Sequence, residues 1–224
     1  MSGSTIQKHP SVSQADPAVI AALMKLPVAL LSDNMHRNTG SVGINPYHKP
    51  HPMVGTAVTV KTRGDDNLAI LRAFEFCRPG DVMVIDADGG LKNAVVGGIL
   101  SFYGATIGLS GMVIDGSIRD VAEIAERTFP VYARGVNHRG PYKDGPGAIN
   151  VPVSIGGMAV NPGDIIVGDQ DGLLAFPQSM AADLIKKAEA QHAKEEATMK
   201  AMREGTWDRS FICLLYTSPS PRDQ

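Results

Sequence analysis

The 224-residue chain contains little cysteine, few aromatic side chains and no excess of either charge. Its two cysteines, Cys77 and Cys213, are too few for a disulfide framework and favour a reducing compartment. Aromatic residues make up only 5% of the chain, and the formal net charge is −2. A nucleic-acid-binding surface needs stacking aromatics and a basic field, so we expect no nucleic-acid partner.

Long apolar runs are also absent from the sequence. No stretch approaches the ~20 apolar residues that a membrane span requires. The polar N-terminal segment lacks the basic and then apolar order of a secretory signal. The hydrophobic content of 43% is typical of an ordinary globular protein. We therefore expect a cytoplasmic protein with no membrane partner.

Short β-branched runs alternate with helical patterns, which predicts an α/β fold with extra strands in the second half. Asp16 is a predicted N-cap, with Pro17 at the first helical position. Ser32 and Asp33 offer the next helix start, which we expect to run to Gly40. Strands are predicted at 55–62, 80–87, 111–116, 129–135, within 149–160 and twice within 161–177, and helices at 67–77, 97–108, 119–127 and 178–204.

The chain divides into three parts of unequal length. Residues 1–15 are polar, and we expect them to form a mobile N-terminal segment. Residues 16–212 show no internal repeat and no linker, so we expect a single domain there. Residues 213–224 continue no pattern. They read as a non-native tail translated from a sequencing adapter, and a genuine disordered tail is the alternative.

The segment from Gly97 to Asp120 carries the most chemical information. A glycine pair, Gly97 and Gly98, opens a predicted helix whose free N–H groups suit a small anion such as a carboxylate. Arg119 and Asp120 follow the next predicted strand, which returns the chain to the same edge of the sheet. Arg119 is therefore placed to pair with a bound oxyanion, and Asp120 to hold a hard divalent cation.

Spacing alone leaves plainer alternatives open for this segment. A glycine pair before a helix is more often a packing feature than a binding site. An Arg-Asp pair at a helix start is more often a cap with a solvated charge. The segment does not fit a dinucleotide-binding fingerprint, because the third glycine and the acidic ribose ligand are misplaced.

Several other polar residues are explained by local structure. His48 and His51 lie in a proline-rich stretch, which favours loop histidines over zinc ligands. Asp65 and Asp66 are predicted to occupy a solvated turn. Cys77 has no base placed beside it and is interpreted as a small buried apolar residue.

Two cations stand in the Gly/Pro-rich segment 137–147. We favour a plain surface loop for Arg139 and Lys143. The alternative is that they lie near the distal carboxylate of a substrate.

The segments IDGSIRD (114–120) and NPGDIIVGDQDG (161–172), in this order within residues 18–212, resemble the RraA-like family. That family contains 4-hydroxy-4-methyl-2-oxoglutarate and 4-carboxy-4-hydroxy-2-oxoadipate aldolases, often also oxaloacetate decarboxylases, and regulators of ribonuclease activity. The resemblance implies a swivelling β/β/α-type α/β single domain with a long C-terminal helix. It also implies a homotrimer or hexamer whose active sites lie between subunits.

The resemblance further implies roles for individual residues. Arg119 would bind the ketone oxygen of a pyruvyl-containing keto acid and stabilise its enolate. Asp120 would ligate Mg²⁺ or Mn²⁺, directly and through waters. Glu195 or Glu196 of a neighbouring subunit would complete the metal site, with a slight preference for Glu195. The substrate carboxylate would be received by the backbone at Gly97, Gly98, Ile99 and Leu100.

Gly98 departs from the aldolases of the family, which carry an acidic residue at this position. Decarboxylation needs only an electron sink, whereas aldol cleavage also needs a base for the hydroxyl. We therefore expect the change to harm aldol cleavage more than oxaloacetate decarboxylation. The sequence predicts a divalent-metal-dependent lyase. The alternatives are a non-catalytic regulator that binds a ribonuclease, or another enzyme on the same scaffold.

Overall fold

The computed structural model describes residues 6–37 and 39–210, which form a nine-stranded sheet, a separate two-stranded sheet and six α-helices. The strands are β1 (Ile6–Lys8), β2 (Asn45–Pro46), β3 (Met53–Thr62), β4 (Asp81–Val96), β5 (Gly111–Ile118), β6 (Val131–Val136), β7 (Gly147–Ile149), β8 (Val153–Ile155), β9 (Met158–Val160), β10 (Ile165–Gly168) and β11 (Leu173–Phe176). The helices are α1 (Pro17–Leu23), α2 (Val28–Asp33), α3 (Leu68–Ala73), α4 (Gly98–Thr106), α5 (Val121–Ala125) and α6 (Ala181–Arg203).

The centre of the main sheet is parallel. Strands β3, β4, β5 and β6 are neighbours in chain order, and α3, α4 and α5 form the crossovers between them. Strands β7 and β10 pair antiparallel with β3, and β11 pairs antiparallel with β10. The predicted α/β class, the extra strands of the second half and the long C-terminal helix are confirmed.

Apolar residues on the two faces of the sheet enter different parts of the core. Met83 and Ile85 of β4 pack with buried residues of α3 and α5. Val82 and Val84 point the other way and pack with the β8–β9 hairpin. This is the period-two alternation of a strand covered on both faces.

The long helix α6 packs over the other end of the domain. Leu184 and Ala188 on α6 join a buried cluster with α1 and α2, above Ile165 of β10 and Phe176 of β11. The outer face of α6 is charged. No helix in the described part of the chain is both long and apolar enough to cross a membrane.

The N-terminal segment differs from the expected mobile stretch. Residues 6–8 form β1, which pairs in parallel with β7, and Ile6 packs against the core. Ala15 is buried, and its N–H donates to Thr56 Oγ1 at 3.0 Å. The edge strand β7 offers unpaired backbone groups, and this pairing satisfies them. Residues 1–5, and the expected non-native tail at 213–224 with Cys213, lie outside the described residues.

The expected helix start at Ser32 and Asp33 is wrong. Helix α2 begins at Val28, directly after Pro27, and ends at Asp33. The Val28 N–H donates to Asp169 Oδ2 at 2.8 Å, so the cap comes from the turn between β10 and β11. Asp16, by contrast, caps α1 as predicted, since its Oδ1 accepts from Ala18 N at 2.7 Å.

Asp66 is fully buried, so its predicted place in a solvated turn is wrong. Its Oδ1 accepts from Leu68 N at 2.9 Å, at the start of α3. Its Oδ2 accepts from Asp144 N at 2.7 Å and Gly145 N at 3.0 Å. One carboxylate thus ties the β3–α3 turn to the loop between β6 and β7.

We expect Asp66→Ala to lower the free energy of unfolding by at least about 3 kcal/mol, because three backbone N–H groups lose their acceptor. Urea denaturation measures the loss. Trypsin should also cut faster after Lys143, because the loop that carries it is released.

Asp183→Ala is the matched control for Asp66→Ala. Asp183 is exposed and pairs with Lys187 at 2.7 Å on α6, so the change should cost less than about 1 kcal/mol. Equal losses in the two variants would contradict the assigned role of Asp66.

Candidate functional site

Two neighbouring parallel strands bring the glycine pair and the Arg-Asp pair together. Strand β4 continues past its predicted end at residue 87, through irregular pairing, to Val96. Val96 is the register partner of Ile118 on β5, and the Arg119 N–H donates to Val96 O at 3.1 Å. The residues that follow the two strands therefore lie side by side at one sheet edge, as the sequence predicted.

Close contact with side chains, rather than its backbone angles, accounts for the glycine at position 97. Its φ of −144° is extended. A Cβ at this position would lie 2.6 Å from Asp120 Oδ2 and 3.0 Å from Arg119 Cγ. Both side chains cross directly over the Gly97 backbone, so any larger residue would displace them.

Asp120 adopts a left-handed backbone with φ of +60° and ψ of +34°. It stands at the N-cap of α5, yet its side chain makes no capping bond to α5. Its Oδ2 instead accepts from Gly98 N at 2.9 Å, at the start of α4. A left-handed conformation of a non-glycine residue costs about 1 kcal/mol or more and is often found at functional sites.

One of the first N–H groups of α4 is already engaged by a side chain of the domain. Helix α4 begins at Gly98 and spans nine residues, in agreement with the predicted helix. The Gly98 N–H is already used by Asp120. The N–H groups of Ile99 and Leu100 have no partner within the helix by geometry, and such groups at a helix N-terminus are suited to an anion.

The site opens into a small cleft of about 190 Å³, below the ~300–1,000 Å³ that is usual for drug-sized ligands, so it suits a ligand with few heavy atoms. Arg119 and Asp120 stand in its wall with side chains 42% and 44% exposed, and Arg119 Nε lies 3.6 Å from Asp120 Oδ2. The lining residues are Asn67, Leu71, Ala94, Val95, Val96, Gly97, Ile99, Leu100, Arg119, Asp120, Pro141 and Lys143.

The loop after β6 supplies the far wall of the cleft. Arg139 O accepts from Ala94 N at 2.8 Å and Tyr142 O accepts from Asn67 N at 3.0 Å, which folds the loop across the sheet edge. Lys143 lines the cleft, whereas Arg139 is not among the lining residues. The structure thus distinguishes Lys143, which lines the cleft, from Arg139, which does not.

Two residues near the site, Asn67 and Glu123, were not identified from the sequence. Asn67 lines the cleft and donates to Val95 O at 3.3 Å, while its buried Oδ1 has no hydrogen-bond partner in the described chain. Glu123 stands one helical turn after Asp120 and lies against Gly98. Its spacing of three residues from Asp120, within one predicted helix, is the signal that could have found it.

Glu195 and Glu196 do not reach the cleft within one chain. Both lie on α6, which packs on α1 and α2. Glu195 Oε1 accepts from Gln191 Nε2 at 2.8 Å, and Glu196 lies 3.6 Å from His192. Their part in the site remains a prediction that depends on a second subunit.

His48 and Cys77 are engaged elsewhere. His48 lies in a loop as expected, with its ring nitrogens 3.2 Å from Val131 O and His51 O, and burial lowers its pKa. The Cys77 thiol donates to Ala73 O at 3.4 Å, and burial raises its pKa to about 12. A thiol with so high a pKa is a poor nucleophile at neutral pH.

We expect Gly97→Ala to displace the Asp120 carboxylate and to lower the free energy of unfolding by about 1 kcal/mol, because the Gly98 N–H then loses its acceptor. Gly64→Ala is the matched control, since a Cβ there meets its nearest atom, Ala87 O, at an ordinary 3.6 Å. Urea denaturation compares the two variants, and equal stabilities would contradict the crossing over Gly97.

Comparison with known proteins identifies the family of this chain. The family model described as RraA-like, Aldolase/RraA, matches residues 28–175. A protein of Halalkalibacterium halodurans named "Putative 4-hydroxy-4-methyl-2-oxoglutarate aldolase" is 37% identical over 194 residues, which cover 86% of this chain and 92% of that protein.

Solved structures agree with the family model. The RraAS2 protein of Streptomyces coelicolor, described as an unusual member of the RNase ES inhibitor RraA protein family, has a TM-score of 0.77 at 26% identity. The match covers 84% of this chain and 98% of that one. The RNA-processing inhibitor RraA of Thermus thermophilis has a TM-score of 0.62 at 27% identity, over 67% of this chain and 92% of that one. The chain therefore belongs to the RraA-like family.

Proposed function

We propose that this protein is a carbon–carbon lyase that releases pyruvate from pyruvyl-containing keto acids. The observation that carries the proposal is the crossing of Arg119 and Asp120 over Gly97, at the N-terminal end of α4. The name of the Halalkalibacterium halodurans relative supports a lyase of this kind. Oxaloacetate decarboxylation and cleavage of 4-hydroxy-4-methyl-2-oxoglutarate are the two reactions proposed.

Both reactions break the bond between C3 and C4 of a 2-oxo acid. The electron pair of that bond passes to the C2 ketone oxygen, which gives the enolate of pyruvate. Oxaloacetate loses C4 as CO₂. The hydroxy acid loses its hydroxyl proton and releases C4 as the ketone carbon of a second pyruvate. In both cases a proton then adds to C3.

Arg119 is the proposed electrophile of this chain. Its guanidinium stands in the cleft wall beside the N-terminal amides of α4, so one pyruvyl unit can meet both. The N–H groups of Ile99 and Leu100 would hold the C1 carboxylate, and Arg119 would face the C2 oxygen. Charge that develops on this oxygen in the transition state would be stabilised by a group already in place.

Asp120 fits a divalent cation that keeps most of its water ligands. Mg²⁺ is commonly bound by only one or two carboxylates. The described residues contain no cluster of three or more His, Cys, Asp or Glu side chains that could hold a metal, so this part of one chain does not supply a complete set of ligands. Asp120, and Glu195 of a neighbouring subunit in a trimer or hexamer, would hold Mg²⁺ or Mn²⁺. The bound cation would supply Lewis-acid stabilisation of the enolate oxygen.

A ribonuclease-binding regulator is the second candidate function. It draws on the two structural relatives described as inhibitors of RNA processing or of an RNase. A protein that only binds a partner has no need for an arginine and a strained aspartate held at an anion-binding helix end. This arrangement favours the lyase.

We expect Arg119→Ala to lower kcat/KM for pyruvate release from oxaloacetate by about 100- to 1,000-fold, the usual cost of losing one preorganised oxyanion donor. EDTA should abolish the activity, and Mg²⁺ or Mn²⁺ should restore it. A coupled pyruvate assay measures both effects.

Arg72→Ala is the control for this substitution. Arg72 is exposed on α3 and pairs with Glu75 at 3.3 Å, so its loss should leave the rate unchanged. Rates that survive both EDTA and Arg119→Ala would contradict the proposed function. Capture of a specific ribonuclease without any turnover would favour the regulator.

We propose that Lys143, which lines the cleft, holds the distal carboxylate of the substrate. We expect Lys143→Met to raise KM for 4-hydroxy-4-methyl-2-oxoglutarate about tenfold, with kcat nearly unchanged, because uniform binding is lost. Lys143→Arg should retain the wild-type KM. Steady-state kinetics of both variants are compared with Arg139→Gln, whose side chain does not line the cleft. A KM that rises equally in Arg139→Gln and Lys143→Met would contradict the assignment.

A further inference from the structure

Helix α3 and its two flanking residues place one row of side chains along the cleft. Asn67, Leu71 and Phe74 are spaced as i, i+4 and i+7, so they share one face. The Asn67 N–H donates to Tyr142 O at 3.0 Å, which joins the start of α3 to the loop after β6. The Phe74 ring meets the Tyr103 ring of α4 edge to face, with the ring centres 4.9 Å apart. Leu71, which lines the cleft, lies between these two contacts.

Positive charge in the cleft is limited to two side chains. Among the lining residues of the described chain, Arg119 and Lys143 are the cations. In the proposed function the amides of α4 hold the C1 carboxylate, Arg119 and the divalent cation serve the C2 oxygen, and Lys143 holds one distal carboxylate. Two carboxylates of a substrate therefore have a partner, and a third has none.

The wall between these charged groups is apolar. Leu71 lines the cleft from α3, Leu100 from α4 and Pro141 from the loop. Asn67 adds no opposite charge, since its amide donates to Val95 O at 3.3 Å and its buried Oδ1 is an acceptor. A methyl group suits such a wall. A carboxylate placed against it would lose its water and gain no counter-charge.

We propose that Leu71 is a specificity-determining residue, which restricts the cleft to 2-oxo dicarboxylates with an apolar substituent at C4. The proposal rests on the proposed lyase function. 4-Hydroxy-4-methyl-2-oxoglutarate carries a methyl group at C4. In 4-carboxy-4-hydroxy-2-oxoadipate a carboxymethyl group replaces this methyl group and the rest of the molecule is unchanged. The second compound therefore brings a third carboxylate to the wall that Leu71 forms.

The same bonds change in both compounds. The hydroxyl proton is lost, the C3–C4 bond breaks, its electron pair passes to the C2 oxygen, and C4 becomes a ketone carbon. One product is pyruvate in each case. The other is pyruvate from the methyl compound and oxaloacetate from the carboxymethyl compound. A difference between the two rates therefore reports how the substituent fits the cleft.

Competition between the two hydroxy acids measures the preference of the wild-type protein. We expect kcat/KM to be at least about 30-fold higher for the methyl compound, the lower range of the penalty for burying an unpaired polar group. Loss of each compound is followed by liquid chromatography, because released oxaloacetate is itself a substrate of the proposed decarboxylation. Equal values of kcat/KM would overturn the proposal.

Leu71→Lys supplies the missing charge at the same place. It should raise kcat/KM for the carboxymethyl compound about tenfold, as expected for one charge-assisted hydrogen bond. It should lower kcat/KM for the methyl compound at least about threefold, because the methyl group loses an apolar contact. The ratio of the two values does not depend on the folded fraction, so partial unfolding cannot imitate the result.

Leu71→Met is the matched neutral variant, because methionine has an unbranched stem like that of lysine and carries no charge. It should keep the ratio of the wild-type protein. An unchanged ratio in Leu71→Lys would overturn the proposal. A change of equal size in Leu71→Met would overturn it too, because charge would then not be the cause.

Thr106→Lys controls for a charge added elsewhere. Thr106 is exposed in the last turn of α4 and is not among the residues that line the cleft. The ratio should therefore stay at the wild-type value. A shift as large as that in Leu71→Lys would show an effect of net charge and would overturn the role of Leu71.

The outcomes separate this proposal from the proposed function. A wild-type protein that releases pyruvate from oxaloacetate and from neither hydroxy acid leaves the lyase standing, and the two hydroxy acids are then compared as inhibitors of decarboxylation. The methyl compound should have a Ki at least about 30-fold lower. Equal Ki values would overturn the role of Leu71 alone. A wild-type protein that releases pyruvate from none of the three compounds would contradict both proposals.

Discussion

The register between β4 and β5 is the constraint on which the site depends. Because Val96 pairs with Ile118, strands β4 and β5 end side by side at one edge of the sheet. Gly97 therefore lies in contact with Arg119 and Asp120. A shift of this register by one residue would turn the pair away from the start of α4. The buried apolar residues on both faces of β4 hold the register, so the core of the domain fixes the geometry of the cleft.

The charges around the start of α4 cancel one another. Arg119, Asp120, Glu123 and Arg127 contribute two positive and two negative side chains within nine residues. A dianionic substrate therefore gains little from their sum. The substrate would be attracted instead by the helix N–H groups, by Lys143 and by the proposed cation. Arg119 and Asp120 alone would bind it weakly, because their charges cancel.

Features with local causes could be predicted from the sequence. The glycine pair, the nine-residue helix α4 and the buried strand β5 follow from short patterns, and the rule for parallel strands places Arg119 beside Gly97. The start of α2 could not be predicted, because its cap, Asp169, stands 141 residues away. The burial of Asp66 could not be predicted for the same reason, since two of the three backbone N–H groups that it accepts from belong to a distant loop.

The role of Asp120 shows a second limit of prediction from the sequence. A helix start predicts a cap for the helix that follows, and the left-handed backbone of Asp120 directs its carboxylate to α4 instead. Sequence patterns specify which residues begin a helix, but not which of two adjacent helix ends a side chain reaches. Glu195 is a different case, because its proposed partner belongs to another chain.

The loop across the cleft is held at its two ends and also at Tyr142 in its middle, whose backbone bonds to Asp65 O and Asn67 N. Asn93 and Ala94 bind its first part at Gly140 and Arg139, and Asp66 binds its last part at Asp144 and Gly145. Pro141 and Lys143, on either side of Tyr142, line the cleft. Substitutions of Pro141 or Lys143 would change the shape of the cleft without disturbing Arg119 and Asp120 at the sheet edge. Such a scaffold would allow the bound ligand to change while Arg119 and Asp120 keep their positions.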